Sequence, residues 1–339
     1  MKYFTLSFIV TIVGLIIAYM WAGVNGLVIA TLLTIMEVSL SFDNAVVNAT
    51  VLRHMSEKWQ QRFLTWGILI AVFGMRFLFP LVIVAFATGL SLWDVGHLAV
   101  DNPDEYSKHV LDSHVAIASF GGMFLLMVFL KFVLDASKDV HWIHWVECKL
   151  AMLGKLESVE VILAMSLLLV MQSFLPEHEQ HSALLSGIIG VVLYVAIGSL
   201  TALCGGGEGA ADHATKSVGY AGFMGFMYLQ LLDASFSLDG VIGAFAISKD
   251  VVIIMVGLGI GAMFVRSLTV YMVRKGTLDA YIYLEHGAHW GIGALAAIML
   301  MSMTIHVSEI ITGLIGLGFI LLSLWSSVQY NRKNRISKA

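Results

Sequence analysis

Apolar runs of about twenty residues recur along the whole chain, separated by short polar stretches. Each run is long enough to cross a hydrocarbon layer as a helix. The pattern predicts ten helices. The first five are Tyr3–Trp21, Gly26–Leu52, Phe63–Gly89, His114–Leu134 and Val159–Leu175. The second five are Ala183–Leu203, Gly219–Ile247, Val251–Val273, Ala288–Met303 and Glu309–Val328. The period-two alternation of a transmembrane barrel is not seen. The expected fold class is therefore an all-α polytopic membrane protein, a single transmembrane domain over 1–339. No A-x-A-like site follows the first run, which reads as an uncleaved helix.

One run contains an anomaly. "EVSLSFDNAVV", Glu37–Val47, places two acids and an asparagine inside an otherwise apolar helix. Its spacing returns in "DASFSLDGVIGAF", Asp233–Phe245. Glu37 falls on Asp233, Ser41 on Ser237, Asp43 on Asp239, and Asn44 on Gly240. The correspondence continues. "GILIAVFGMR", ending at Arg76, matches "GLGIGAMFVR", ending at Arg266, and "HVAIASFGGMF" from His114 resembles "HWGIGALAAIM" from His289. These marks fall on helices two to four and seven to nine, so the chain reads as two five-helix repeats, 1–175 and 183–330. Because five is odd, the second copy starts on the opposite side of the bilayer. Such inverted repeats place a binding site near the midplane, where the copies meet.

Composition fits this picture. Hydrophobic residues make up 59% of the chain and charged residues 12%, about half the charged share of a soluble domain. Under ten helices, fifteen of the 19 Lys and Arg residues fall on the face that holds both termini; only Lys108 and Lys249 fall on the other, with Arg76 and Arg266 inside. Basic flanks stay cytoplasmic, so both termini are expected there. Cys148 and Cys204 sit in no shared motif, so neither a disulfide nor a thiolate metal site is expected. The Gly-rich "CGGGEGAADHATKS" lacks the Gly-Lys-Ser/Thr ending of a phosphate loop. No hydrolytic constellation or nucleic-acid surface is visible, and the chain does not read as an enzyme.

The chemistry rests on the buried charges. A carboxylate at the bilayer centre costs about 2.5–3.5 kcal/mol or more unless paired or protonated. Glu37, Asp43, Asp233 and Asp239 have two basic partners on offer, Arg76 and Arg266. The surplus of two negative charges matches one divalent cation. On a regular helix Glu37, Ser41 and Asn44 share a face, whereas Asp43 lies about 120° from Glu37. Either the helix unwinds near Leu40–Asp43 or the two acids do different jobs. Oxygen ligands without thiolates suit Mg²⁺, Ca²⁺ or Mn²⁺, and an imidazole from His114 or His289 would favour Mn²⁺. Two other readings stay open: acids that only lock the bundle to Arg76 and Arg266, and a proton relay without metal.

Two further stretches carry titratable groups. In "HWIHWVECKL", His141, His144 and Glu147 share a face that suits a metal, but tryptophans and lysines read more simply as an interfacial helix. In "YLEHGAHWGIG", Glu285 and His289 are four apart, and His286 is expected to face the headgroups.

With both acid stretches in view, the chain resembles the TerC-like integral membrane family, named for tellurium resistance, and within it a bacterial subgroup carrying stretches like "LEHGAHWGIG" and "HWIHWVE". The resemblance covers nearly the whole chain. It implies an inverted-repeat cation exporter of the bacterial cytoplasmic membrane, with Mn²⁺ as the favoured substrate. Carried over by motif, the implied ligands are Glu37, Asp43, Asn44, Asp233 and Asp239, with Ser41, Ser237, His114, His289, Arg76 and Arg266 as supporting candidates. The implied partners are the metal ion, protons and the bilayer, with no resident cofactor. A Ca²⁺/proton antiporter and a non-transporting membrane scaffold in a metal-stress complex are the alternatives. Gly240 opposite Asn44 departs from a symmetric motif.

Overall fold

The computed structural model describes residues 3–67, 70, 74, 76, 78–138, 140–203, 220–305 and 307–336. The Gly-rich connection after Leu203 lies outside them. The described residues are helical, with no strand among them. The first half contains α1 (Thr5–Leu40), α2 (Phe42–His54), α3 (Glu57–Arg62), a π-helical turn (Phe63–Gly67) and α4 (Phe79–Thr88). It continues with α5 (Leu92–Asp101), α6 (Pro103–Asp112), α7 (His114–Leu134), α8 (His144–Leu153) and α9 (Val159–Gln172). The second half contains α10 (Glu177–Leu203), α11 (Tyr220–Ile247), α12 (Val251–Lys275), α13 (Thr277–Ala280), α14 (Leu284–Ser302) and α15 (Glu309–Ile336).

Five helices among the described residues are long and apolar enough to cross a membrane: Thr5–Leu40, His114–Leu134, Glu177–Leu200, Val251–Lys275 and Ile311–Lys333. The first of these is not one straight rod. At 1.5 Å per residue its 36 residues would extend about 54 Å, against a hydrocarbon core of about 30 Å. Ala22 and Gly23 leave the helical region, Gly23 with φ 62° and ψ −149°, a conformation open to glycine.

Contacts with α12 give the direction of each arm. Ser7 Oγ donates to the Met263 carbonyl at 2.8 Å, and a Cβ on Gly14 would touch Ile260 and Val256. Beyond the turn, Gly26 meets Ile253, Leu33 packs on Gly257, and Glu37 packs on Gly261. The first arm therefore runs toward the start of α12 and the second runs back. α1 is a helical hairpin, with the tip held where Trp21 Nε1 donates to Asp250 at 2.9 Å. The break falls between the expected Tyr3–Trp21 and Gly26–Leu52 segments.

Around this hairpin the helices approach through small residues, as membrane helices do. Gly122 of α7 receives Leu300 of α14, and Gly190 of α10 lies against the Phe120 carbonyl of α7. Ser119 Oγ donates to the Ala183 carbonyl at 2.6 Å. α7 is buried along most of its length, with Met123, Phe124 and Leu125 at 0% exposure. Ion pairs tie the ends of the bundle: Lys249 to Asp104 at 2.7 Å at one end, and Arg53 to Asp279 at 3.2 Å and to Glu285 at 3.1 Å at the other.

Candidate functional site

The polar centre forms where the second arm of α1, the start of α2, α11 and α12 meet. α1 ends at Leu40 and α2 begins at Phe42; only Ser41, at φ −101° and ψ 15°, leaves helical geometry. The unwinding allowed by the sequence is thus a single residue. It puts Asp43 in the first turn of α2, where its Oδ1 accepts the Asn44 N–H at 2.9 Å, a favourable position for a carboxylate.

Glu37 is 1% exposed and Arg76 is 4% exposed. The guanidinium pairs with Glu37 Oε1, which also accepts Ser41 Oγ at 2.9 Å. Two glycines make room for Glu37. A Cβ on Gly261 would come within 2.5 Å of its Cγ, and one on Gly240 within 3.0 Å of its Oε2. Gly240, the position where an asparagine would have matched Asn44, thus lets α11 close on the carboxylate. From the other side Asn44 Nδ2 donates to Asp233 Oδ1 at 2.6 Å. This bond joins the first acid stretch to the second. The charge of Arg76 reaches Asp233 as well as Glu37, so one cation faces two carboxylates in a low-dielectric setting.

Further buried polar atoms lie on α2 and α11. Among the described residues, Asn44 Oδ1, Asn48 Oδ1, Ser235 Oγ, Ser237 Oγ and both amide atoms of Gln230 are buried without a hydrogen-bond partner. A polar atom left so costs about 1–3 kcal/mol, and a cluster of them calls for a ligand, an ion or water. Asn48 and Gln230 were not among the expected ligands. Their spacing was a readable signal: Asn48 is one turn beyond Asn44, and Gln230 is three residues before Asp233.

The remaining candidates lie apart. Asp43 is 3% exposed and faces α14 and α15; Cβ atoms on Gly291 or Gly316 would each sit 3.4 Å from its Oδ2. No basic side chain pairs with it among the described residues. Asp239 lies on α11, and its side chain is outside the described residues. Arg266 is half-buried and lines a cavity of about 590 Å³ with Lys58, Arg62 and Arg274. His114 opens α7 and approaches Ser302 Oγ at 3.4 Å. His289 bonds the Glu285 carbonyl at 2.9 Å and stacks on Phe132, ring centroids 3.7 Å apart. Phe132 lies roughly 27 Å along α7 from His114, so the two histidines cannot bind one ion.

A second buried polar cluster lies outside the spans. Glu147 of α8 is fully buried, with its carboxylate 3.1 Å from His286 Nδ1 and 3.0 Å from Trp290 Nε1. The backbone N–H groups of Trp142 and Ile143 also point to it, at 3.2 and 3.4 Å. His286, expected to face the headgroups, is instead 5% exposed, because Glu147 supplies an acceptor inside. Burial alone would raise the Glu147 carboxyl; the His286 and Trp290 donors outweigh it and hold it at about 2, against an ordinary 4.5.

The sequence model of a family described as protein of unknown function (DUF475) matches residues 42–334. The chain belongs to the DUF475 family. No curated protein and no solved structure matches it. The DUF475 match takes in Asp43, Asn44, Arg76, Asp233, Asp239 and the Glu147–His286 pair. It begins five residues after Glu37, so the partner of Arg76 lies just outside it.

Proposed function

We propose that this DUF475 protein is a divalent-cation transporter, with Mn²⁺ as the favoured substrate and export as the favoured direction, working by alternating access around the two acid stretches. One observation carries the reading: Glu37 and Asp233, from stretches of equal spacing, converge through Asn44 on a buried centre where both carboxylates feel the charge of Arg76. Intramembrane ionisable groups that are not fully paired mark ion pathways. The oxygens of Asn44, Asn48 and Ser237, unpartnered among the described residues, are hard donors, the type that binds Mn²⁺, Mg²⁺ or Ca²⁺.

Asp43, facing α14 and α15 without a basic partner among the described residues, suits a proton carrier that couples transport. The ten-span, inverted-repeat reading is part of the same proposal. The hairpin in α1 supplies two spans from one apolar stretch. The tip contact Trp21–Asp250 and the pair Lys249–Asp104 fit one face; Arg53, Asp279 and Glu285 fit the other. Lys and Arg sorting then puts both termini in the cytoplasm of a bacterial cell. The resemblance to the TerC-like family points to the same substrate class.

The test is transport by purified protein in liposomes holding a Mn²⁺-quenched dye, with and without a pH gradient. Wild type is expected to move Mn²⁺, and Asp233→Asn to lose the flux while keeping its elution and melting behaviour. Equal flux in Asp233→Asn and wild type, or none in either with Mn²⁺, Ca²⁺ and Mg²⁺, overturns the reading; the second outcome would favour a scaffold.

A further inference from the structure

We propose that His141, His144 and Cys148 form a second metal site, on the surface helix α8, built for a thiophilic ion such as Zn²⁺. One nitrogen or sulfur from each residue lies within 4.8 Å of the other two. His144 Nδ1 is 3.5 Å from Cys148 Sγ. Tetrahedral zinc with bonds of about 2.3 Å to sulfur and 2.0–2.1 Å to nitrogen needs an N–S edge of about 3.6 Å. That edge is already in place. His141 completes the triangle, its ring centroid 5.8 Å from that of His144.

The local fold explains why these three residues meet. His144 and Cys148 are four apart on α8 and share a face. His141 precedes the helix, and residues 141–143 must fold back for it to reach that face. Glu147 holds them there. Its carboxylate takes the Trp142 and Ile143 N–H groups on the buried side of α8, anchored by His286 and Trp290. Spacing alone offers Glu147 as the third ligand beside His141 and His144. Its acceptor capacity is committed to the bundle, and its neighbour Cys148 takes the outward position.

The donor set fixes the class of ion. A thiolate with two imidazoles selects Zn²⁺ or Cu⁺ over Mn²⁺, Mg²⁺ or Ca²⁺. His144 is exposed, so a fourth position stays open to solvent, as in exchangeable rather than closed structural sites. The site differs in ligand chemistry and place from the oxygen-lined centre of the bundle, and it does not depend on the transport reading.

The experiment uses full-length protein in detergent with Cys204→Ser as background. Co²⁺ is expected to give a thiolate charge-transfer band and tetrahedral visible bands at one equivalent, displaced by Zn²⁺. Cys148→Ser should abolish the charge-transfer band, and His144→Ala should weaken Zn²⁺ binding at least about tenfold. Asp233→Asn should leave both unchanged. In the unaltered site, Zn²⁺ should slow alkylation of Cys148 more than tenfold, a readout that needs no ligand substitution. A charge-transfer band that survives in Cys148→Ser overturns the proposal, as does alkylation at the same rate with and without Zn²⁺.

Discussion

The two acid stretches share their spacing and part company in their partners. Glu37 holds a full ion pair with Arg76, reinforced by Ser41. Asp233 receives the neutral amide of Asn44 and only the outer field of Arg76. The counterpart arginine, Arg266, lines a cavity with Lys58, Arg62 and Arg274. Among the described residues, Glu37 has a direct ionic partner and Asp233 has a neutral donor. On the transport reading proposed above, the difference makes Asp233 the acid more open to a cation.

The sharpest way to break this contrast is to delete the donor to each carboxylate. Arg76→Met leaves Glu37 and Asp233 facing each other, and breaking a buried pair in this way costs about 3–5 kcal/mol. A large loss of melting temperature or of folded yield is expected. Asn44→Ala removes a neutral donor from Asp233 and should cost less, about 1–3 kcal/mol. Equal losses in the two variants would refute the asymmetry.

Next in size is the packing around Glu37. Gly261→Ala places a methyl 2.5 Å from its Cγ, and overpacking of this kind costs about 1–3 kcal/mol. The same change at Gly240, with its 3.0 Å contact, should cost less. Thermal melts in detergent would rank them. Asp233 can be examined by ligand stabilisation. Mn²⁺ at about 100 times its Kd should raise wild-type stability by about 2.7 kcal/mol, and Asp233→Asn should erase that rise.

Glu147 provides the smallest and most specific check, because it is a buried carboxylate with a full set of donors. Its carboxyl is held at about 2 in the folded protein, below its ordinary 4.5. Its contribution is therefore complete above about pH 4.5 and disappears as the pH falls toward about 2. Stability against pH should slope down through that window in wild type, and the slope should flatten in Glu147→Gln. An unchanged slope would place the acid sensitivity elsewhere.

Much of this was legible in the chain. Apolar runs marked membrane helices because a bilayer demands their length, and the break between Trp21 and Gly26 was readable because no straight helix of that length fits the layer. The shared face of Glu37, Ser41 and Asn44, with Asp43 turned away, followed from helix geometry alone. Other features were not legible. Nothing local says that Arg76 pairs inward while Arg266 joins Lys58 and Arg62, since both close near-identical motifs. Nor does "HWIHWVECKL" reveal that Glu147 turns inward to His286 and leaves Cys148 facing outward beside two imidazoles. Spacing along a helix is set by backbone hydrogen bonds within the segment, so sequence determines which side chains share a face. Which partner each face meets depends on contacts between residues far apart in the chain, some 140 positions for Glu147 and His286, and only the packed bundle decides them.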